Sequence, residues 1–152
     1  SGSIDSGTSS TTLLVSDKGT IGLGDASGDL SISGKELENI KATDLTIGNS
    51  NGNLTVDNIT AANSENITGT VILKATKDGS VITFTGDDST FNALTVKADD
   101  GVTINTNLTT DVGNLLVEGD VDNSSDTDDS ITLADKVELS SAGSITLKAY
   151  CS

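Results

Sequence analysis

Ala93-Leu94-Thr95-Val96-Lys97-Ala98-Asp99-Asp100-Gly101-Val102-Thr103-Ile104 holds two very short strands and the corner between them. In Leu94-Thr95-Val96, and again in Val102-Thr103-Ile104, apolar, hydroxyl and apolar residues alternate. A period of two sends the outer side chains to one face and the hydroxyl to the other. Asp99-Asp100-Gly101 is a turn signal, because Asp bonds local backbone and Gly accepts unusual dihedrals. The triplet recurs at Leu30-Ser31-Ile32, Leu45-Thr46-Ile47, Leu54-Thr55-Val56, Ile82-Thr83-Phe84, Ile131-Thr132-Leu133 and Ile145-Thr146-Leu147. One structural unit is therefore repeated along the chain, each copy with a dry side and a wet side.

Further apolar clusters lie between the triplets: Leu13-Leu14-Val15, Ile21-Gly22-Leu23, Val71-Ile72-Leu73, Leu115-Leu116-Val117 and Val137-Glu138-Leu139. Corners rich in Gly, Asn and Asp separate them. Several strands open alike, as in Gly28-Asp29-Leu30, Gly52-Asn53-Leu54, Gly113-Asn114-Leu115 and Gly143-Ser144-Ile145. The Gly permits a positive-φ corner, and the next polar residue is expected to bond its own backbone there. Residues 1–12 are rich in Ser, Gly and Thr and read as a flexible lead-in, leaving 13–152 as a single domain. Lys35-Glu36-Leu37-Glu38-Asn39-Ile40-Lys41 has some helical periodicity but is too short to be stable alone, so an exposed loop is expected.

Short strands at this spacing also suit an antiparallel β-sandwich. A sandwich core usually draws on longer strands and aromatic anchors. Here Phe84, Phe91 and Tyr150 are the only aromatic residues among 152, and Trp and Met are absent. Three-residue strands with small corners instead favour a parallel β-helix, or β-solenoid, in which each coil adds one rung to each sheet. With coils of roughly 20–25 residues, about six coils are expected, and at about 4.8 Å per rung the stack is roughly 30 Å tall. Disorder is the other reading of low aromatic content and a net charge of -15. The regular supply of β-branched clusters argues against it.

The segment from Asn92 to Ala149 resembles the repeat region of filamentous-haemagglutinin-type exoproteins. It does so through Ala93-Leu94-Thr95-Val96-Lys97-Ala98, Gly101-Val102-Thr103-Ile104, Gly113-Asn114-Leu115-Leu116-Val117 and Gly143-Ser144-Ile145-Thr146-Leu147-Lys148-Ala149. Looser rungs from Gly19 to Ala75 extend the likeness. The resemblance implies a right-handed parallel β-helix, a secreted or cell-surface bacterial location and an adhesive or structural role.

The chemistry available is narrow. The chain has no His and no Arg, which removes Ser-His-Asp and Cys-His nucleophile systems. Paired carboxylates at Asp87-Asp88, Asp99-Asp100 and Asp128-Asp129 read as corner residues rather than a glycosidase acid and base. No enzyme is expected. Eight Lys stand against 23 acidic residues, which disfavours nucleic acid and anionic membrane surfaces as partners. No run of about 18 apolar residues is present, so no membrane insertion is expected.

The densest acidic stretch runs from Glu118 to Asp129, and Asp120, Asp122, Asp126, Asp128 and Asp129 are its candidate calcium ligands. Alternating Asp and Asn in a flexible loop supply the oxygens that calcium takes. No cofactor is otherwise required. Thr-x-Thr pairs, as in Thr83-Phe84-Thr85, do not recur on the schedule an ice-binding face needs. The single thiol, Cys151, reads as idle or as an intermolecular bridge. The chain starts at Ser1 without a signal peptide, which suggests a removed leader or an excised fragment. Expected partners are neighbouring β-helix coils or sibling subunits, and host-cell or matrix glycans. Three functions suit these features: an adhesive or structural module, a filament subunit stacking end to end, and a calcium-dependent carbohydrate-binding module.

Overall fold

A computed structural model describes residues 2–124 and 128–150. The apolar–hydroxyl–apolar triplets become strands, and their alternation decides which side chains are buried. In chain order the first elements are β1 (Ile4–Asp5), β2 (Thr11–Leu13), β3 (Ile21–Gly24), β4 (Leu30–Ile32), α1 (Gly34–Glu38), β5 (Ile40–Lys41) and β6 (Leu45–Ile47). Next come β7 (Leu54–Asp57), α2 (Ala61–Ser64), β8 (Val71–Ala75), β9 (Ile82–Phe84), β10 (Ser89–Phe91) and β11 (Leu94–Ala98). The rest are β12 (Val102–Ile104), β13 (Leu108–Thr110), β14 (Leu115–Glu118), β15 (Ile131–Leu133), β16 (Leu139–Ser141) and β17 (Ile145–Lys148).

The protein is all-β apart from the two one-turn helices, and its sheets do not close into a barrel. One six-stranded sheet runs β17-β14-β11-β8-β6-β2 and a second runs β15-β12-β9-β7-β3-β4. A three-stranded sheet runs β10-β13-β16, and β1 pairs with β5. Apart from β3 and β4, which are consecutive and paired in one sheet, consecutive strands belong to different sheets, and the chain returns to each sheet one rung further on. Every strand pairing among the described residues is parallel. The antiparallel sandwich is therefore not the architecture: hairpin turns are absent among the described strands, and, β3 with β4 apart, paired strands lie a whole pass from one another.

Register makes the core. In the first sheet Leu45, Val71, Leu94 and Leu115 stack in one column and Ile47, Leu73, Val96 and Val117 in the next. In the second, Ile21, Leu54, Ile82 and Val102 align, as do Leu23, Val56, Phe84 and Ile104. All of these are buried. Each buried Val, Leu, Ile or Phe contributes about 1.5–3 kcal/mol, so stacked columns replace the aromatic anchors of an ordinary core. The last pass differs: Leu133, Ile145 and Leu147 occupy the same columns yet are 40%, 44% and 47% exposed.

The third side changes character along the stack. α1 packs on α2, and α2 packs on β10, after which the side continues as β10-β13-β16. The segment expected to be a loop is instead α1. Two effects override its short length: a capping box between Ser33 and Glu36, and complete burial of Leu37. Within the lead-in segment, Ile4–Asp5 pairs with Ile40–Lys41 and Thr11 begins β2.

The corner polar residues act differently from the expected local turns. Asp44, Asn53, Asp88, Asn107 and Asn114 each immediately precede a strand. Their side-chain oxygens accept from the backbone N–H of Thr70, Val81, Asn107, Glu138 and Ser144, at 2.8, 3.1, 3.0, 2.8 and 2.9 Å. Each donor immediately precedes the paired strand on the next pass. The bond is across the stack because parallel register brings equivalent corners together, and it satisfies an N–H beyond the end of the ladder. Asn53→Ala is expected to cost about 1 kcal/mol and to speed hydrogen exchange at Val81 without altering the distant Ser144 amide.

At the β3–β4 end, Asp29 Oδ2 accepts from the Thr20 N–H at 2.8 Å and hydroxyl at 3.0 Å. These two bonds, the backbone one foremost, hold its carboxyl below the usual range. Glu36 is lowered likewise, first by the Ser33 hydroxyl and then by the Ser33 N–H. A carboxyl with a lowered folded pKa stabilises above its ordinary pKa and loses that contribution as pH falls through the folded value. Acidification below about pH 4 is therefore expected to release the Thr20 and Ser33 amides, as read by NMR.

Candidate functional site

The acidic corner follows β14. Asp99 and Asp120 each lie two residues beyond the paired Lys97 and Glu118 of β11 and β14, and each is only 1% exposed. Asp99 accepts from the Gly79 N–H at 2.8 Å. Asp120 Oδ1 accepts from the Asn123 N–H at 2.6 Å, while its Oδ2 is buried and has no hydrogen-bond partner among the described residues. Asp122, which is exposed, accepts from the Ser124 N–H at 2.9 Å. Asp128 is also exposed, and its N–H donates to Asp100 Oδ1 at 3.0 Å. Asp129 is half-buried.

Of the five candidate calcium ligands, Asp126 lies outside the described residues, as does Cys151. Asp120 and Asp122 bind the backbone of their own loop. Among the described residues no group of three or more His, Cys, Asp or Glu side chains is placed to hold a metal ion. The burial of Asp99 was not visible in the sequence, where Asp99-Asp100 reads as a solvated turn.

The second feature is the outward face of the first sheet. One outward column reads Thr46, Ile72, Thr95, Leu116 and Thr146, and the next reads Lys74, Lys97, Glu118 and Lys148. Lys97 Nζ lies 2.8 Å from Glu118 Oε2. That pair is partly exposed and is worth about 0–1 kcal/mol. Beside the first column runs a groove of about 410 Å³, lined by Thr70, Thr95, Val112, Asn114, Leu116 and Thr146. Val112, 66% exposed, forms its outer lip.

The lysine column escaped the sequence reading, though a signal existed. Leu73-Lys74-Ala75, Val96-Lys97-Ala98 and Leu147-Lys148-Ala149 place Lys at one fixed offset behind the inner column. The second sheet has its own outward column of Thr55, Thr83, Thr103 and Thr132. The third side adds Thr90, Thr109 and Ser140. Hydroxyls thus form in-register rows on the second sheet and the third side, while on the first sheet they alternate with Ile72 and Leu116. No helix among the described residues is long and apolar enough to cross a membrane. No family model, no curated protein and no solved structure matches this chain.

Proposed function

We propose that the chain is a right-handed parallel β-helix of about six coils, and that it is a non-enzymatic structural and adhesive module of a secreted or cell-surface bacterial protein. The parallel pairings and the alternation of strands between sheets support the fold. The likeness of Asn92–Ala149 to filamentous-haemagglutinin-type repeats supports its hand and location. The observation that carries the function is the in-register column Thr55, Thr83, Thr103 and Thr132, with Thr90, Thr109 and Ser140 on the third side. Such columns repeat one polar group every 4.7–4.9 Å or so and fit extended partners such as glycans or sibling surfaces. Binding of the purified chain to an array of host-cell and matrix glycans, and to cultured cells, tests the reading. Retention above background is expected, and it should survive EDTA because the reading requires no calcium. Absence of binding to every glycan and cell type overturns it.

A second reading, an extracellular filament subunit, is favoured by the open last pass. Leu133, Ile145 and Leu147 are exposed there, and the opposite end carries an apolar cleft of about 550 Å³ lined by Ile4, Leu13, Leu30, Ile32 and Ile40. Unpaired strand edges recruit further strands. Electron microscopy separates the two readings: long uniform fibres support the filament, and dispersed particles at high concentration exclude it.

A further inference from the structure

Within a chain of net charge -15, the outward face of the first sheet stands apart. Its lysine column carries Lys74, Lys97 and Lys148 with a single carboxylate, Glu118. Glu118 is engaged by Lys97. Lys74 and Lys148 have no ion-pair partner among the described residues. The adjoining groove offers the Thr95 and Thr146 hydroxyls, with Leu116 and Val112 as apolar shelves. A sugar needs the same three elements: a flat apolar surface for its C–H face, hydroxyl partners for its rim, and a cation where it carries a carboxylate.

Spacing narrows the ligand. Lys97 and Lys148 are separated by the Glu118 rung, which puts them two rungs, about 10 Å, apart. A disaccharide unit in an extended chain is about that long. We propose that this face binds a glycan in which a carboxylated sugar alternates with a neutral one, its carboxylates on Lys97 and Lys148 and the neutral sugar over Glu118. Lys97 keeps donors for this role, because an ammonium has three and Glu118 takes one. A chain with a carboxylate on every sugar would set one against Glu118. It would also meet the repulsion of the acidic molecule, which beyond about 8 Å is screened but at contact is not. The proposal rests on the adhesive reading and names its ligand class and face.

Isothermal titration calorimetry tests it, with the full chain at low salt and a hexasaccharide of alternating glucuronate and N-acetylglucosamine. Binding is expected. Lys148→Ala should weaken it about tenfold, the loss that one charge-assisted hydrogen bond gives. Lys35→Ala, on α1 and away from this face, should leave it unchanged. A galacturonate hexamer should bind at least about tenfold more weakly. No binding of the alternating hexasaccharide, an unaffected Lys148→Ala variant, or equal binding of the galacturonate or carboxyl-reduced chain overturns the proposal. If the carboxyl-reduced chain binds equally, the adhesive reading survives while the lysine assignment falls. If no glycan or cell is bound at all, the adhesive reading itself fails. Sedimentation covers the remaining occupant: self-association abolished by Lys148→Ala would assign the face to a second copy and also overturn the glycan.

Discussion

Phe84→Ala is expected to lower the unfolding free energy by about 3–5 kcal/mol, the range for truncating a fully buried aromatic side chain. Phe84 is completely buried and stacks between Val56 and Ile104 in the inner column of the second sheet. Phe84 and Phe91 are the only Phe residues in the chain, so no neighbouring aromatic side chain in that column can shift to fill the space. Thr83, one residue earlier, points outward in the hydroxyl column, and Thr83→Ala should change stability by about 0.5 kcal/mol or less. Denaturant midpoints of the two variants provide the measurement. Equal losses at Phe84 and Thr83 would contradict the assignment of inside and outside.

Gly48→Val is expected to be as damaging, by a different route. Gly48 ends β6 at φ +85, and a Cβ there would press against the Lys74 backbone carbonyl on the next pass. The dihedral alone costs an L-residue about 1–2 kcal/mol, and the clash adds the cost of opening the ladder between β6 and β8. The total should be about 3–5 kcal/mol, read as a fall in melting temperature. Gly79→Val is a useful contrast, since its φ is similarly positive, +74, but no atom lies within 4 Å of the added carbon. It should show the dihedral cost and little else.

The sequence was most legible where one rule acted alone. Leu94-Thr95-Val96 could be assigned an inside and an outside from alternation, and the burial pattern of β11 follows it. Val102-Thr103-Ile104 did the same for β12. Legibility failed where a residue's role depends on what lies one pass away. Asn53 and Asn114 looked like local turn formers, but their partners, Val81 and Ser144, are 28 and 30 residues further on. No local pattern announces that distance, because passes vary in length with each corner insertion. Leu37 misled for a related reason: α1 is too short to be stable alone, and its stability comes from burial against neighbours that periodicity does not reveal. Asp99 belongs to the same class, since it accepts from the Gly79 N–H, 20 residues earlier.

Five of the corner bonds share a direction. At Asp44, Asn53, Asp88, Asn107 and Asn114 the acceptor is on the earlier pass and the donor on the later one. The earlier pass thus carries a carboxylate or amide oxygen aimed at the backbone N–H of the later one. A one-residue slip would leave those acceptors empty as well as turning apolar side chains to water. At these five corners register is thus marked from the earlier pass toward the later one, whereas Thr20 and Gly79 donate the other way, to Asp29 and Asp99.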